Sequence, residues 1–402
     1  MKRFKVPAIV FGGGINGLAV VRNLGRSGVT VYCVVDEKDE VRYSRFCKKY
    51  FIVPHIQESV SVLSNFLEEV ERDLDDHAVI FPSSDSYTLH LSLLKEELEN
   101  NYYIPLASYK VVETLVNKAE FCKSLSKNSV PHPATYIPES PEDVKRMGKD
   151  VKYPLFVKPS MSQEFSRKFR AKGFTASSEE ELMKYYLLAA SHNIDVIFQE
   201  VIPGLSAKNV YGIEGYFDKQ HNLKASFAYC RLRGWPPVFG NTSLRESIPI
   251  SELMSQYVVT RDYLHDIKYH GMMEAEWKKD PRDGVFKLLE INARQSMQNS
   301  LPTRCGVNLV MLAYLDAIGA RTCHTNYYET GVKWIDFPND LRSAIKTKTS
   351  ARDWICSLRR VREWSAFAVD DVHPWISRSL DTLKTIARAR LGGWKNVVEK
   401  DY

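Results

Sequence analysis

The stretch that most restricts how this chain can fold is Gly271–Arg294, GMMEAEWKKDPRDGVFKLLEINAR. Met272–Lys279 and Val285–Arg294 read as two β-strands, and Asp280-Pro281-Arg282-Asp283-Gly284 between them has proline and glycine where a tight turn needs them. Side chains alternate faces along a strand, so Glu290, Asn292 and Arg294 share one face while Leu289, Ile291 and Ala293 take the other. A hairpin closing near Asp280 and Phe286 sets Glu276 opposite Glu290. Two carboxylates across a ladder repel unless a cation lies between them. Mg²⁺ answers that need, because it takes oxygen ligands, keeps several waters and shares one or two carboxylates with a nucleotide's phosphates. Asn292 offers a neutral oxygen, and Arg294 a planar fork for phosphate or carboxylate. The same spacing also fits a solvated strand face with Glu–Arg pairs, so the hairpin alone leaves both readings open.

The start of the chain carries a competing signal. Ala8–Phe11 is a short apolar strand, Gly12–Gly17 turns into a helix over Leu18–Gly25, and a strand Thr30–Val35 ends at Asp36. The G-x-G-x-x-G spacing with an acidic residue about 20 positions on is what a dinucleotide site would have: Gly12, Gly14 and Gly17 at the phosphates, Asp36 on a ribose hydroxyl. It equally describes a tight strand-to-helix turn that binds no dinucleotide. Alternating elements follow: a strand Phe51–Pro54, a helix Val60–Leu74, a strand Ala78–Phe81 and a helix Leu89–Leu98. Asp85, just past the Ala78–Phe81 strand, reads either as a ligand for a substrate amine or as a helix cap.

A helix over Val111–Ser126 with Asn117-Lys118 inside it opens a second unit and closes on a proline-rich turn at Asn128–Thr135. The apolar strand Tyr153–Pro159 ends with Lys158, a cation costly to bury unless it meets an anion. Ser160–Arg170 is polar and cation-rich and reads as a mobile loop over phosphates. Glu179–Ser191 is a helix, Val196–Val201 a strand, and Tyr211–Phe217 and Leu223–Arg231 are further strands. Arg231-Leu232-Arg233 before Trp235-Pro236-Pro237 suggests an anion pocket or surface cations stacked on Trp235.

In this order the pieces resemble the ATP-grasp superfamily, in its carboxylate–amine ligase branch, over roughly residues 5 to 325: Asn117-Lys118, Val-Pro-His-Pro-Ala-Thr, Tyr-Pro-Leu-Phe-Val-Lys-Pro, Gln199-Glu200-Val201-Ile202-Pro203-Gly204, the arginine pair, Glu276, and Leu-Glu290-Ile-Asn292-Ala-Arg294. The resemblance implies an α/β and α+β chain: a Rossmann-like leading domain (1–112), an ATP-grasp fold of two α+β subdomains enclosing the nucleotide (113–326), and a basic C-terminal extension (327–402). It implies that Lys118 and Lys158 touch the phosphates, and that Gln199, Glu200, Val201 and Ile202 hold the adenine. Glu276, Glu290 and Asn292 would hold Mg²⁺ (or Mn²⁺), Arg294 would contact the phosphoryl group, and Arg233 the acyl carboxylate. The activity implied is ATP-dependent joining of a carboxylate to an amine through an acyl phosphate, on small molecules such as an amino acid, a peptide or an amino sugar, with no nucleic acid partner. Ser160–Arg170 departs from the family's glycine-rich phosphate loop, and the ribose ligand has only Lys208 and Glu214 as candidates. A nicotinamide-dependent oxidoreductase and a catalytically degenerate ATP binder are the rival readings.

At 402 residues the chain holds two or three domains, and 44% hydrophobic with 26% charged residues is ordinary globular composition. Seven scattered cysteines without a CxxC pair argue against a zinc site or disulfide framework and for a reducing cytoplasm. No apolar run reaches the roughly 18 residues of a membrane span. The net charge of +6 resides in the tail, where Leu341–Tyr402 carries 13 Lys/Arg against 7 Asp/Glu. Asp370-Asp371-Val372-His373 reads as a polar turn before a basic amphipathic helix, Ile376–Arg390, in an extension expected to be helix and loop packed on the catalytic body. A homodimer is the default assembly.

Overall fold

The computed structural model of the protein describes residues 4–72, 74, 77–204, 209–322 and 327–380. The leading sheet is wholly parallel, with β1 (Ala8–Phe11), β2 (Val31–Val34), β3 (Cys47–Phe51), β4 (Ala78–Pro82) and β5 (Tyr102–Tyr103) in the order β3-β2-β1-β4-β5. Fully buried β1 and β4 form its centre, so both read as continuous apolar runs. The edge strand β3, CKKYF, lies earlier than the expected Phe51–Pro54 because an edge does not need the apolar run. The helix after β1 runs Gly14–Arg26, longer at its start than the sequence suggests, because Gly12 and Gly14 take φ of +88° and +60° and let the helix begin inside the glycine turn.

The second sheet is antiparallel: β6 (Thr135–Tyr136), β7 (Leu155–Pro159), β8 (Phe174–Ala176) and β9 (Val196–Glu200), ordered β6-β9-β7-β8. It packs on the helices Pro141–Asp150 and Glu179–Ala190 around Val144, Leu155, Phe165 and Phe198. Ser160–Arg170 is not an open loop. It contains a helix, Ser162–Phe169, held down by fully buried Phe165 against Phe169 and Phe174. The expected Val111–Ser126 helix is broken into Tyr109–Val116 and Lys118–Lys127. Asn117 ends the first and caps the second, its Oδ1 accepting from the Ala119 and Glu120 amides at 3.0 and 3.3 Å. Lys118 therefore opens a helix instead of lying within one, and its amide donates to the Ser160 carbonyl at 2.9 Å.

The third sheet comprises β10 (Val210–Phe217), β11 (Leu223–Trp235), β12 (Asn241–Ile248), β13 (Gly271–Lys279), β14 (Phe286–Asn292), β15 (Lys333–Ile335) and β16 (Val361–Trp364), in the order β14-β13-β10-β11-β12-β15-β16. The helix Leu309–Ala317 fills the space between it and the leading sheet, bringing Val310, Ala313 and Tyr314 against Tyr216, Ala225, Val20 and Val31. The extension, expected as helix and loop, contributes β15 and β16 to this sheet. The buried pair Arg22–Asp371 (2.9 Å) and the Arg26–Asp370 pair (2.7 Å) fasten it to the first helix of the leading domain. Asp370 and Asp371 are thus docking groups ahead of a helix that begins at His373; of the expected Ile376–Arg390 helix, residues from 381 on lie outside the described part. Among the described residues no helix is long and apolar enough to cross a membrane.

Candidate active site

A continuous cleft runs between the second and third sheets. Its larger part, about 360 Å³, is lined by residues that include Asp85, Lys118, Lys158, Lys172, Arg231, Glu276, Glu290, Asn292 and Arg294. A joined part of about 200 Å³ is lined by Phe156, Gln199, Val201, Ile202, Val210, Phe239 and Leu289 among others.

The hairpin β13–β14 builds the charged end. Its register pairs Glu276 with Glu290 and Glu274 with Asn292, and a bulge follows that sets Trp277 against Leu288. That bulge turns Leu289 into the cleft while Leu288 stays in the core. Arg231 on β11 donates to Glu276 Oε1 at 2.8 Å, and Glu290 has no hydrogen-bond donor among the described residues. Burial pushes the Glu276 carboxyl up to about 7, with Arg231 opposing and Glu290 adding to the rise. Asn292 gives its amide to Glu274 Oε2 at 3.1 Å, which leaves its Oδ1 available. Two facing carboxylates and an amide oxygen form an all-oxygen donor set for a hard cation that also uses waters and phosphate. The residues fit Mg²⁺. Among the described residues no group of three or more carboxylate, imidazole or thiol ligands converges on a metal position.

Three lysines face the carboxylates. Lys118 donates to Ser162 Oγ at 2.6 Å, joining the helix Lys118–Lys127 to the helix Ser162–Phe169. Lys158, at the end of β7, is pushed down to about 8 by burial and by the charge of Lys118. Lys172 was not singled out from the sequence; it donates to Asn241 Oδ1 at 2.7 Å, and burial lowers its pKa against the pull of Glu290 and Glu276. Ser162 and Ser166 line the cleft beside it, so serine and lysine side chains, not glycine amides, form this wall of the cleft.

The narrower part offers an apolar slot. Phe156 and Phe239 stack at 4.1 Å between centroids, with Ile202, Val210 and Leu289 lining the same cavity. Gln199 donates to Thr135 Oγ1 at 3.0 Å, and the Ile202 carbonyl accepts from Lys278 at 2.9 Å. Glu200 lines this part, but its carboxylate is committed to the Ala134 amide, Arg282 and Lys287, clamping the β13–β14 hairpin onto the end of β9.

Several sequence candidates lie elsewhere. Arg233 forms a two-pronged pair with buried Asp340 (2.8 and 2.7 Å) and does not line either part of the cleft. The reason is a bulge on β11: Arg231 pairs with Arg245 while Arg233 pairs with Leu244, so Leu232 is extra and the two arginines part company. Arg231 is the one in the cleft. Glu214 is buried against Arg245 at 2.6 Å and is closed to a ribose, and Lys208 lies outside the described residues.

The glycine turn of the leading domain is occupied from within. Asp39, not Asp36, reaches it, accepting from the Gly14 amide at 3.2 and 3.0 Å. Its carboxylate lies so close that a Cβ on Gly13 would fall 1.6 Å from Oδ2. An internal anion at this helix start takes the place a pyrophosphate would use. Asp36 is exposed, and its backbone carbonyl accepts the Asp39 amide at 3.0 Å.

No family model matches the chain. It is 24% identical over 363 residues to D-aspartate ligase of Enterococcus faecium, covering 83% of both chains. Among solved structures it resembles an L-amino acid ligase of Bacillus licheniformis, with a TM-score of 0.59, 15% identity and coverage of 79% and 75%. It also resembles the biotin carboxylase domain of Hydrogenobacter thermophilus 2-oxoglutarate carboxylase, solved with MgADP, ADP and bicarbonate, with a TM-score of 0.62, 17% identity and coverage of 83% and 74%. The chain is similar to carboxylate–amine ligases of the ATP-grasp superfamily. In this chain the order of elements is a parallel leading sheet, a small antiparallel sheet, and a large sheet whose edge hairpin carries the acidic pair. The cleft lies between the last two, and the helix after β4 in the leading domain contributes Asp85.

Proposed function

We propose that this protein uses ATP and Mg²⁺ to activate a small carboxylic acid as an acyl phosphate and transfers the acyl group to an amine, releasing ADP and phosphate. The observation that carries this reading is the Glu276–Glu290 pair, set with Asn292 and Arg294 at one end of a cleft whose walls bear Lys118, Lys158 and Lys172 and whose far end is an apolar slot. Gln199, Val201 and Ile202 would hold the adenine, and the lysines would offset the charge of the triphosphate. Glu276, Glu290 and Asn292 would hold Mg²⁺, which when bound neutralises charge on phosphate oxygens. Positioning dominates such chemistry. The substrate carboxylate attacks the γ-phosphorus and ADP leaves; the amine then attacks the acyl carbon and phosphate leaves. Arg294 and Arg231, not Arg233, are assigned to the anionic acyl and phosphoryl groups. In this reading residues 1–112, 113–326 and 327–402 are the leading domain, the ATP-grasp unit and the extension of a cytoplasmic homodimer.

The similarity to D-aspartate ligase makes D-aspartate the first acid to try, within a panel of amino acids, peptides and amino sugars. ADP release that requires one acid and one amine is the expected result. Glu290→Gln is expected to abolish it with folding intact, and retained turnover would remove the metal assignment. Thermal stabilisation by NAD with indifference to Mg–ATP would overturn the reading in favour of an oxidoreductase.

A further inference from the structure

The geometry points to Asp85 as the group that receives the incoming amine as its ammonium form. This inference rests on the ligase reading above and adds the chemistry of the second substrate. Asp85 is the carboxylate that the leading domain brings to the cleft; the others lining it, Glu274, Glu276 and Glu290, all stand on β13 and β14. Glu276 and Glu290 face one another, and Glu274 is buried and engaged by Tyr229, Asn292 and Arg245. With Glu276 and Glu290 assigned to Mg²⁺ and Glu274 already bonded, none of those three is open to an arriving ammonium.

Asp85 is. It is not needed as a helix cap, because Ser84 Oγ accepts the Tyr87 amide at the start of the helix Asp85–Leu93. Its Oδ1 accepts from Arg294 Nε at 2.8 Å, while Oδ2 has no hydrogen-bond partner among the described residues and the side chain is 41% exposed. Arg294 in turn spends Nε on Asp85 and Nη1 on the Gln295 carbonyl, leaving Nη2 without a described partner. One ion pair therefore presents a free carboxylate oxygen and a free guanidinium N–H side by side in the cleft. The N–H suits the anionic acyl phosphate and the oxygen suits a cationic nucleophile.

The step balances within those groups. The ammonium held by Asp85 passes one proton to the carboxylate, and the freed lone pair attacks the acyl carbon. The C–N bond forms as the C–O bond to phosphate breaks, phosphate leaves with that electron pair and takes the second proton from the nitrogen, and the first proton passes from Asp85 to solvent. The amine is accordingly a primary amine that is protonated near neutral pH, and a nucleophile that is neutral there gains nothing from Asp85.

Hydroxylamine is such a neutral nucleophile, and ammonium is the smallest charged one. The full chain is given Mg–ATP and the acid that supports hydroxamate formation, and turnover is measured with hydroxylamine and with ammonium chloride. For Asp85→Asn the ratio of ammonium to hydroxylamine turnover is expected to fall at least tenfold through a raised ammonium KM, with Asp85→Glu restoring part of it. Stabilisation of each variant by Mg–ATP reports that it is folded. An equal loss with both nucleophiles, or no loss, overturns the role of Asp85 alone. Absence of hydroxamate from the unsubstituted protein with every acid overturns the ligase reading and this inference together.

Discussion

Lys158 shows how much one residue's surroundings decide. In the sequence it is a cation at the end of an apolar strand; in the fold, burial and the charge of Lys118 bring its pKa down to about 8 from the ordinary 10.5. Between those values the unfolded chain holds the extra proton, so this residue's contribution to stability rises with pH across that window and is lost below it. Its usefulness to ATP runs the other way, since a neutral amine does not offset phosphate charge. The expected outcome is a kcat/KM for ATP that falls above about pH 8 by up to roughly tenfold per pH unit, as one titrating group of the free enzyme dictates. Lys158→Arg, which stays charged, is expected to remove that alkaline limb even where its absolute rate is lower. A limb that persists in Lys158→Arg would assign the titration elsewhere.

At the level of elements, the bulge on β11 decides which arginine does chemistry. Period-two alternation puts Arg231 and Arg233 on one face, and the extra Leu232 separates them. Arg231 reaches Glu276 in the cleft; Arg233 holds Asp340, which is completely buried and also receives the Trp354 indole N–H at 2.8 Å. Arg231→Ala is therefore expected to lower kcat/KM by about a hundredfold or more, the scale of losing one preorganised electrostatic contact. Arg233→Ala is expected to leave the folded enzyme its ATP affinity while lowering unfolding stability by about 3–5 kcal/mol, because it strands a buried carboxylate. Denaturant titration beside nucleotide-binding measurements separates the two, and the opposite assignment of effects would restore Arg233 to the site. The Ser160–Arg170 segment carries the same lesson: its polar composition reads as loop, but one buried side chain, Phe165, fixes a helix.

At the scale of the molecule, the basic extension is part of the body. β15 pairs with β12 and β16 with β15, so residues 333–364 complete the large sheet, and Asp371 neutralises Arg22 inside the leading domain. A chain cut after residue 326 would leave β12 as a bare edge, with Arg233 and Arg22 short of their carboxylate partners Asp340 and Asp371. The expected outcome is loss of a cooperative thermal transition and gain of protease sensitivity. A soluble truncation with an unchanged melting temperature would show the extension to be dispensable. Asp371→Ala alone is expected to cost about 3–5 kcal/mol, since Arg22 would remain buried without its partner.

What the sequence determined by itself follows from local physics. Strand alternation and a Pro–Gly turn point to a hairpin with Glu276 opposite Glu290; the structure has that pair, but Lys279 and not Asp280 lies opposite Phe286, and the bulge at Leu289 makes up the one-residue difference. The apolar runs at Ala8–Phe11 and Ala78–Phe81 locate the centre of the leading sheet because buried parallel strands must be apolar on both faces. Only the tertiary structure decided what depends on neighbours distant in the chain. Asp39 fills the glycine turn in place of a ligand, Lys172 joins Lys118 and Lys158, and Asp85 pairs with Arg294 across 209 residues of chain. These contacts leave no periodic trace, since each is set by where an element's end comes to rest and not by the spacing of residues within it.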